Sequence, residues 1–351
     1  MNLADLLQRP TEWLRGTGAI NDVVISSRIR LARNLVGMPF LTRCGEEQLH
    51  EVEHRLKENI FQARLSDDVA YVDIPASGEL DRKFLVERHL ISRQHAEGSH
   101  SRGVAFSANE TLAIMINEED HLRIQVLRSG LELAEAIAEI NRVDQLLEEQ
   151  LDFAFHRRYG YLTACPTNVG TGLRVSVMAH LPALKMTGEI KKVFRAARDM
   201  RLAIRGLYGE GTEATGDFFQ ISNQTTLGRS EHQIIKDFST QTIPHIIDYE
   251  RRARHVLLKE QTIAIDDKAH RALAALHAAK LISSEETMYL LSLVRLGIHL
   301  GRCNKMDIAT VNELFLRTQP AHLQKIHNRT MEPRERAEAR ATYIHKRIDA
   351  V

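Results

Sequence analysis

TLAIMINEEDHLRIQV, residues 111–126, is the stretch on which the fold turns. Side chains of a strand alternate between faces with period two. The even positions Leu112, Ile114, Ile116, Leu122, Ile124 and Val126 are apolar, whereas Asn117, Glu119, His121, Arg123 and Gln125 fill odd positions. That alternation predicts strands at 111–116 and 122–127 with one buried face, and it puts Glu119 and Arg123 on the polar face. The same parity recurs in RVSVMAHL (174–181), where Val175, Val177 and Ala179 oppose Arg174 and Ser176. Two strands each offering an arginine from one sheet face fit a site for a polyanion, and on parity alone they fit a solvated sheet face as well. The adjacent carboxylates Glu118, Glu119 and Asp120 weigh against the solvated face, because they repel unless cations or a metal neutralise them.

Outward from this stretch, short strand-like runs stand at 69–75 (VAYVDIP), 103–106 (GVAF) and 217–222 (DFFQIS), with a further strand near 202–207. Helical periodicity marks 45–60, where Leu49, Val52, Leu56 and Ile60 share a face, and the segment from Leu133 through Ile137, Ile140, Val143 and Leu147 to Leu151. Another helix is predicted near 188–201. From about 230 strand signals stop and helical patterns run to the end. The expected fold is therefore an α+β core over residues 1–258 followed by an all-helical domain over 259–351.

Composition narrows the function classes. The chain has 351 residues, 43% hydrophobic and 26% charged, with 47 Lys+Arg against 46 Asp+Glu. A net charge of +1 gives no bulk argument for nucleic acid or a membrane. Three scattered cysteines (Cys44, Cys165, Cys303) form neither a disulfide framework nor a zinc pattern. No run approaches a membrane span or a signal peptide, so the expected compartment is a reducing cytoplasm.

Two loops carry unusual chemistry. In YLTACPTNVGTGLR (161–174) a cysteine precedes proline, a Gly-x-Gly turn and a strand opening on arginine. No GxxxxGK[ST] or GxGxxG element is present, so a nucleotide site here has to rely on arginine forks, which match phosphate oxygens. By residue type alone, Cys165 reads equally as a small buried hydrophobe. In RGLYGEGTEATGDF (205–218), Gly206, Gly209, Gly211 and Gly216 fall within eleven residues, predicting a mobile loop that brings Glu210 and Glu213 over a substrate. An ordinary surface hairpin is the alternative.

SSRIRLAR (26–33), NEEDHLRI (117–124), CPTNVGTGLR (165–174), GEGTE (209–213) and ISNQTTLG (221–228) together resemble the phosphagen (guanidino) kinases, in the family's order and over roughly residues 20–255. The resemblance implies a catalytic domain with a mainly antiparallel sheet flanked by helices. It implies that Arg28, Arg30, Arg123, Arg174 and Arg205 grip the phosphates of ATP, with Mg²⁺. Glu119 would hold the substrate guanidinium, with Cys165 as a thiolate beside it polarising the group electrostatically. Glu210 or Glu213 would supply a second carboxylate, and the residues leave that choice open.

Two departures point to one branch. Only 25 residues precede Ser26, where small-molecule members carry a helical domain, and a helical tail follows about residue 260. Both features resemble the bacterial protein arginine kinases, which phosphorylate arginine displayed on proteins and mark them for degradation. The partners so implied are arginine-bearing proteins, an activator protein, a Clp-type protease and a second copy of the chain, with no nucleic acid and no membrane. The rivals are a small-molecule guanidino kinase and a phosphoarginine-binding protease adaptor. That branch carries a C-terminal Arg-Asp-x-x-Arg-Ala element associated with phosphoarginine binding. RAEARA (336–341) keeps Arg336 and Arg340 but has Ala337 in place of the acid.

Overall fold

Ten short segments of alternating or apolar sequence become strands in the structure, a computed structural model that describes residues 3–207 and 215–350. They are β1 (Val24–Arg33), β2 (Val69–Asp73), β3 (Gly103–Ser107), β4 (Leu112–Ile116), β5 (Leu122–Ser129), β6 (Phe155–His156), β7 (Gly160–Tyr161), β8 (Leu173–His180), β9 (Leu202–Gly206) and β10 (Phe218–Asn223). Eight of them form one sheet in the order β2-β3-β4-β5-β1-β8-β10-β9, every pair antiparallel. β6 and β7 make a separate hairpin.

Strand parity assigns the two faces. Ile29, Leu31, Ile114, Ile124, Val175 and Ile221 all enter one core, which the helices Glu46–Gln62 and Leu133–Glu148 cover with Leu56, Ile60, Ile140 and Val143. Burying each of these large side chains contributes roughly 1.5–3 kcal/mol, so a register slip of one residue in a central strand would expose the set and is strongly disfavoured.

The opposite face is divided into three zones. At the β2–β4 end, Val104, Phe106 and Met115 pack with Phe84 and Leu85 of the helix Glu79–Glu87. At the other end Ile25, Leu127, Met178 and Phe218 pack with Leu291 and Phe315 of the C-terminal helices. Between the two apolar zones lies a strip of arginines. The helical tail therefore rests on the sheet. Its helices Thr262–Ala278, Ser284–His299, Ile308–Arg317, Pro320–Ile326 and Pro333–Ile348 follow one another after Gln261.

Tail and sheet are also tied by polar contacts. The Glu87 carboxylate accepts from the backbone N–H groups of Ala321 (2.7 Å) and His322 (2.9 Å), capping the helix that begins at Pro320. The buried Arg295 donates to the carbonyl of Asn21 at 2.6 Å. Among the described residues no helix is long and apolar enough to cross a membrane.

One expectation needs correction. The alternation of 111–126 does not belong to a continuing strand: residues 117–121 form the turn of the β4–β5 hairpin. Glu119 sits in that turn rather than on a strand face. Asn117 has a left-handed backbone (φ 57°), a conformation asparagine tolerates better than most residues, and it turns the chain.

Candidate active site

β1 is the axis of the site. It runs between β5 and β8, with Ile29 and Leu31 turned to the core and Arg28 and Arg30 turned to the opposite face. Arg30 stands directly across from Arg174 of β8, and Arg123 of β5 faces the neighbouring Ala32. Arg205 of β9 lies across from Gln220 of β10. Like charges directly opposite on an antiparallel pair destabilise a sheet, so this placement requires an external anion to make sense.

The electrostatics point the same way. Burial, then the charges of Arg123, Arg174 and Arg205, lowers the Arg28 pKa to about 9. Burial, then Arg28, Arg123 and Arg174, lowers that of Arg30 well below its ordinary value. Arg28 and Arg30 make no ion pair among the described residues, and the buried Arg30 Nε has no hydrogen-bond partner. A buried, unpartnered guanidinium nitrogen among like charges is what a removable polyanion would satisfy.

These arginines line a cleft of about 440 Å³ together with Glu119 and Cys165. Seven of the nine sequence-expected residues thus meet in one place: Arg28, Arg30, Arg123, Arg174, Arg205, Glu119 and Cys165. The other two, Glu210 and Glu213, lie outside the described residues.

The turn Asn117–His121 shows why Glu119 stands apart. The Asn117 side chain donates to the carbonyls of Leu49 and Ser101, both at 2.8 Å. Glu118 pairs with Arg123 and accepts from Ser92 Oγ at 2.6 Å. Burial pushes the Glu118 carboxyl up, but Arg123 and Ser92 outweigh it and hold it at about 2. Asp120 Oδ1 accepts from Asn34 Nδ2 (2.6 Å) and from the N–H of Ala164 (2.7 Å). His121 Nδ1 accepts from the N–H of Leu35 at 3.0 Å, which leaves Nε2–H to donate to the Pro39 carbonyl at 2.8 Å.

Every polar residue of the turn except Glu119 is thereby consumed in holding the turn. Two of the three adjacent carboxylates are neutralised by an arginine or by hydrogen-bond donors, without a metal. Glu119 makes no hydrogen bond or ion pair among the described residues. Burial raises its pKa, opposed by Arg123 and reinforced by Asp120 and Glu118.

Cys165 is half-buried, not a core residue, and its sulfur lies 3.0 Å from Thr167 Oγ1. Its loop is clamped on both sides. Asp120 holds Ala164, and Thr226 Oγ1 donates to the carbonyls of Thr167 (3.2 Å) and Val169 (2.7 Å). Gly172 has φ 67°, and a Cβ there would sit 2.6 Å from the Ala32 carbonyl oxygen. The Gly-x-Gly element is therefore a close chain crossing against β1.

ISNQTTLG also has a physical role: Ser222 Oγ accepts from Arg174 Nε (3.3 Å) and Nη2 (3.0 Å), aiming that fork into the cleft. Asn34 and Ser92 are the site residues that sequence reasoning missed. Glu118 and Asp120 were visible only as members of the carboxylate triplet, and Ser222 and Thr226 only as members of ISNQTTLG, without the roles the structure gives them.

In the tail, Arg340 is buried and donates to the carbonyls of Thr318 (2.8 Å) and Ile282 (2.9 Å). Arg336 donates to the Met331 carbonyl at 2.6 Å. Burial, then Arg336, lowers the Arg340 pKa to about 10.

Comparison with known proteins gives this geometry a family. Residues 51–253 match the family model for the ATP:guanido phosphotransferase C-terminal catalytic domain. Residues 262–351 match that for the protein-arginine kinase McsB C-terminal domain. The chain is 46% identical to a protein-arginine kinase of Halothermothrix orenii over 99% of its own length and 100% of the relative's. It is 47% identical to one of Symbiobacterium thermophilum over 97% of each chain.

Among solved structures, lombricine kinase superposes with a TM-score of 0.58 at 26% identity, over 67% of this chain and 68% of that one. The duplicated taurocyamine kinase of Schistosoma mansoni, with bound transition-state analogue components, gives a TM-score of 0.62 at 26% identity. It covers 71% of this chain, which spans about a third of that duplicated one (35%). With a catalytic-domain match, a tail match and full-length relatives in agreement, the chain belongs to the ATP:guanido phosphotransferase family, in its protein-arginine kinase branch.

Proposed function

We propose that the protein transfers the γ-phosphoryl group of ATP to the guanidinium of arginine residues displayed on other proteins. The observation that carries the chemistry is the cleft itself: five strand-borne arginines line it with Glu119, a carboxylate that makes no hydrogen bond or ion pair among the described residues. A guanidinium is a poor nucleophile, with delocalised lone pairs and a pKa above about 12. Glu119 orients the attacking nitrogen and takes up its proton, and burial keeps that carboxylate basic. A second carboxylate comes from Glu210 or Glu213. Cys165, in the cleft with Glu119, stabilises the positive end of the acceptor electrostatically without forming a bond to it.

Arg28, Arg30, Arg123, Arg174 and Arg205 hold the triphosphate in forked hydrogen bonds. ATP with Mg²⁺, when bound, supplies the phosphoryl group and part of the charge that offsets these arginines. Mg²⁺ would be held chiefly by the ATP phosphates and water, which leaves Glu119 to the acceptor. In related phosphoryl transfers one arginine at the transition state contributes on the order of 10³–10⁵ in rate. Modified proteins would pass to a protease of the Clp type, and an activator protein and a second copy of the chain complete the proposed partners.

Incubation with ATP, Mg²⁺ and an unfolded protein, followed by mass spectrometry under conditions that keep acid-labile N–P bonds, tests the activity. Phosphoarginine is expected with the wild type and at a far lower rate with Glu119→Gln. Phosphate on serine, threonine or tyrosine alone would overturn the reading.

A further inference from the structure

A larger cavity, about 770 Å³, opens beside the catalytic cleft and shares its wall. Val86 and Arg93 line both. The short helix Arg93–Glu97 is the lip between them: Ser92 and Gln94 face the cleft, whereas Ala96 and Glu97 face the larger groove. The far wall of the groove is Ser284, Gln319 and Pro320. Those three lie within the region that matches the protein-arginine kinase C-terminal domain.

We propose that this groove holds the polypeptide on one side of the acceptor arginine. The inference rests on the protein-kinase reading above and specifies how that acceptor is held. An arginine that enters the cleft as a side chain brings a main chain with it, and the chain must leave along a surface continuous with the cleft. The groove offers that continuity through Val86 and Arg93.

Its chemistry suits polypeptides of varied sequence. Exposed groups of both signs (Glu79, Lys83, Glu97) stand along the rim, with Val86 and Pro320 as apolar floor. The walls are fixed relative to each other, because Glu87 in the near wall accepts from the N–H groups of Ala321 and His322 behind Pro320. A preformed groove lowers the ordering cost of binding an unfolded segment. Four residues on one side of the acceptor, extended, reach about 13 Å.

The test compares N-acetyl-arginine amide with single-arginine peptides of about five and nine residues, using wild type, Glu97→Trp and Ser284→Trp. Glu97 is exposed and Ser284 half-buried, one on each wall, and neither lines the catalytic cleft. In the wild type kcat/KM should rise with peptide length, about tenfold or more from the amide to the longest peptide, mainly through KM. Each tryptophan should remove most of that gain while turnover of the amide stays within about twofold of wild type. Circular dichroism and thermal midpoints establish that the variants fold.

A length dependence unchanged in both folded variants would overturn the groove, as would a wild type indifferent to length. Absence of transfer from the wild type to any of the acceptors would overturn the kinase reading and the groove with it.

Discussion

Glu119 is the carboxylate of its turn that makes no hydrogen bond or ion pair among the described residues, and its replacement separates chemistry from architecture. Glu119→Gln should keep the fold and nucleotide affinity, because ATP is held by arginines, and should lower kcat by roughly 10²–10⁴-fold, the range for a lost general base. Calorimetric nucleotide titration alongside steady-state rates checks both halves; a large loss of nucleotide affinity would assign Glu119 to the phosphate site instead. The pH profile carries a second signature. A carboxylate with a raised pKa is ionised only above a higher pH than usual, so the acid limb of kcat/KM should lie above the ordinary carboxylate range and vanish in the Gln variant. Cys165→Ser should cost about 10²-fold in kcat, comparable to removing one preorganised charge-stabilising group, with the thermal midpoint nearly unchanged. A fully active serine variant would return Cys165 to a packing role.

At the scale of the strand, β1 shows the tension between stability and function most clearly. Arg30 is half-buried and opposed by Arg174, and its buried Nε has no hydrogen-bond partner among the described residues. Arg30→Met should therefore raise the thermal midpoint while weakening ATP binding by tenfold or more, since removing an uncompensated buried charge stabilises by roughly 1–3 kcal/mol. Added ATP should raise the wild-type midpoint more than the variant's. A destabilised Arg30→Met would contradict the view that the arginine strip is strained for its ligand.

This element scale is also where sequence reading succeeded and failed. Parity alone assigned Leu112, Ile114, Ile124, Val175 and Val177 to the core and turned Arg123 and Arg174 away from it, because period-two alternation is a local property. β1 carries the same signal in Arg28-Ile29-Arg30-Leu31. Its place between β5 and β8, which joins the two arginine-bearing strands, depends on pairing partners distant in sequence. Extending that parity across 117–121, where every residue is polar, put Glu119 on a strand face although the segment is a turn. What distinguishes it is hydrogen bonding to Asn34, Ser92 and Ala164, none of which is near in sequence.

The whole molecule places a helical tail across one end of the sheet face that carries the phosphate cradle. Tail and cradle are joined by contiguous packing, with Glu87 capping the Pro320 helix and His89, two residues on, lining the cleft. In the tail itself, Arg340 spends two donors on backbone carbonyls and position 337 offers no acid. Free phosphoarginine should accordingly change the wild-type rate by less than about twofold, and Ala337→Asp should enlarge the response by supplying the counter-charge for the ligand's guanidinium. Strong stimulation of the wild type would mean that another carboxylate, Glu335 or Glu338 first, completes the pocket.

The central claim concerns the acceptor, a protein-borne arginine served by an arginine-held ATP. Its most direct measurement is kcat/KM for transfer from ATP to an unfolded protein and to free arginine, side by side under one set of conditions. The account predicts a preference for the protein of about 10²-fold or more, the remote contacts of the polypeptide being available only there. Equal or greater efficiency on free arginine would contradict it and make the protein a small-guanidine kinase.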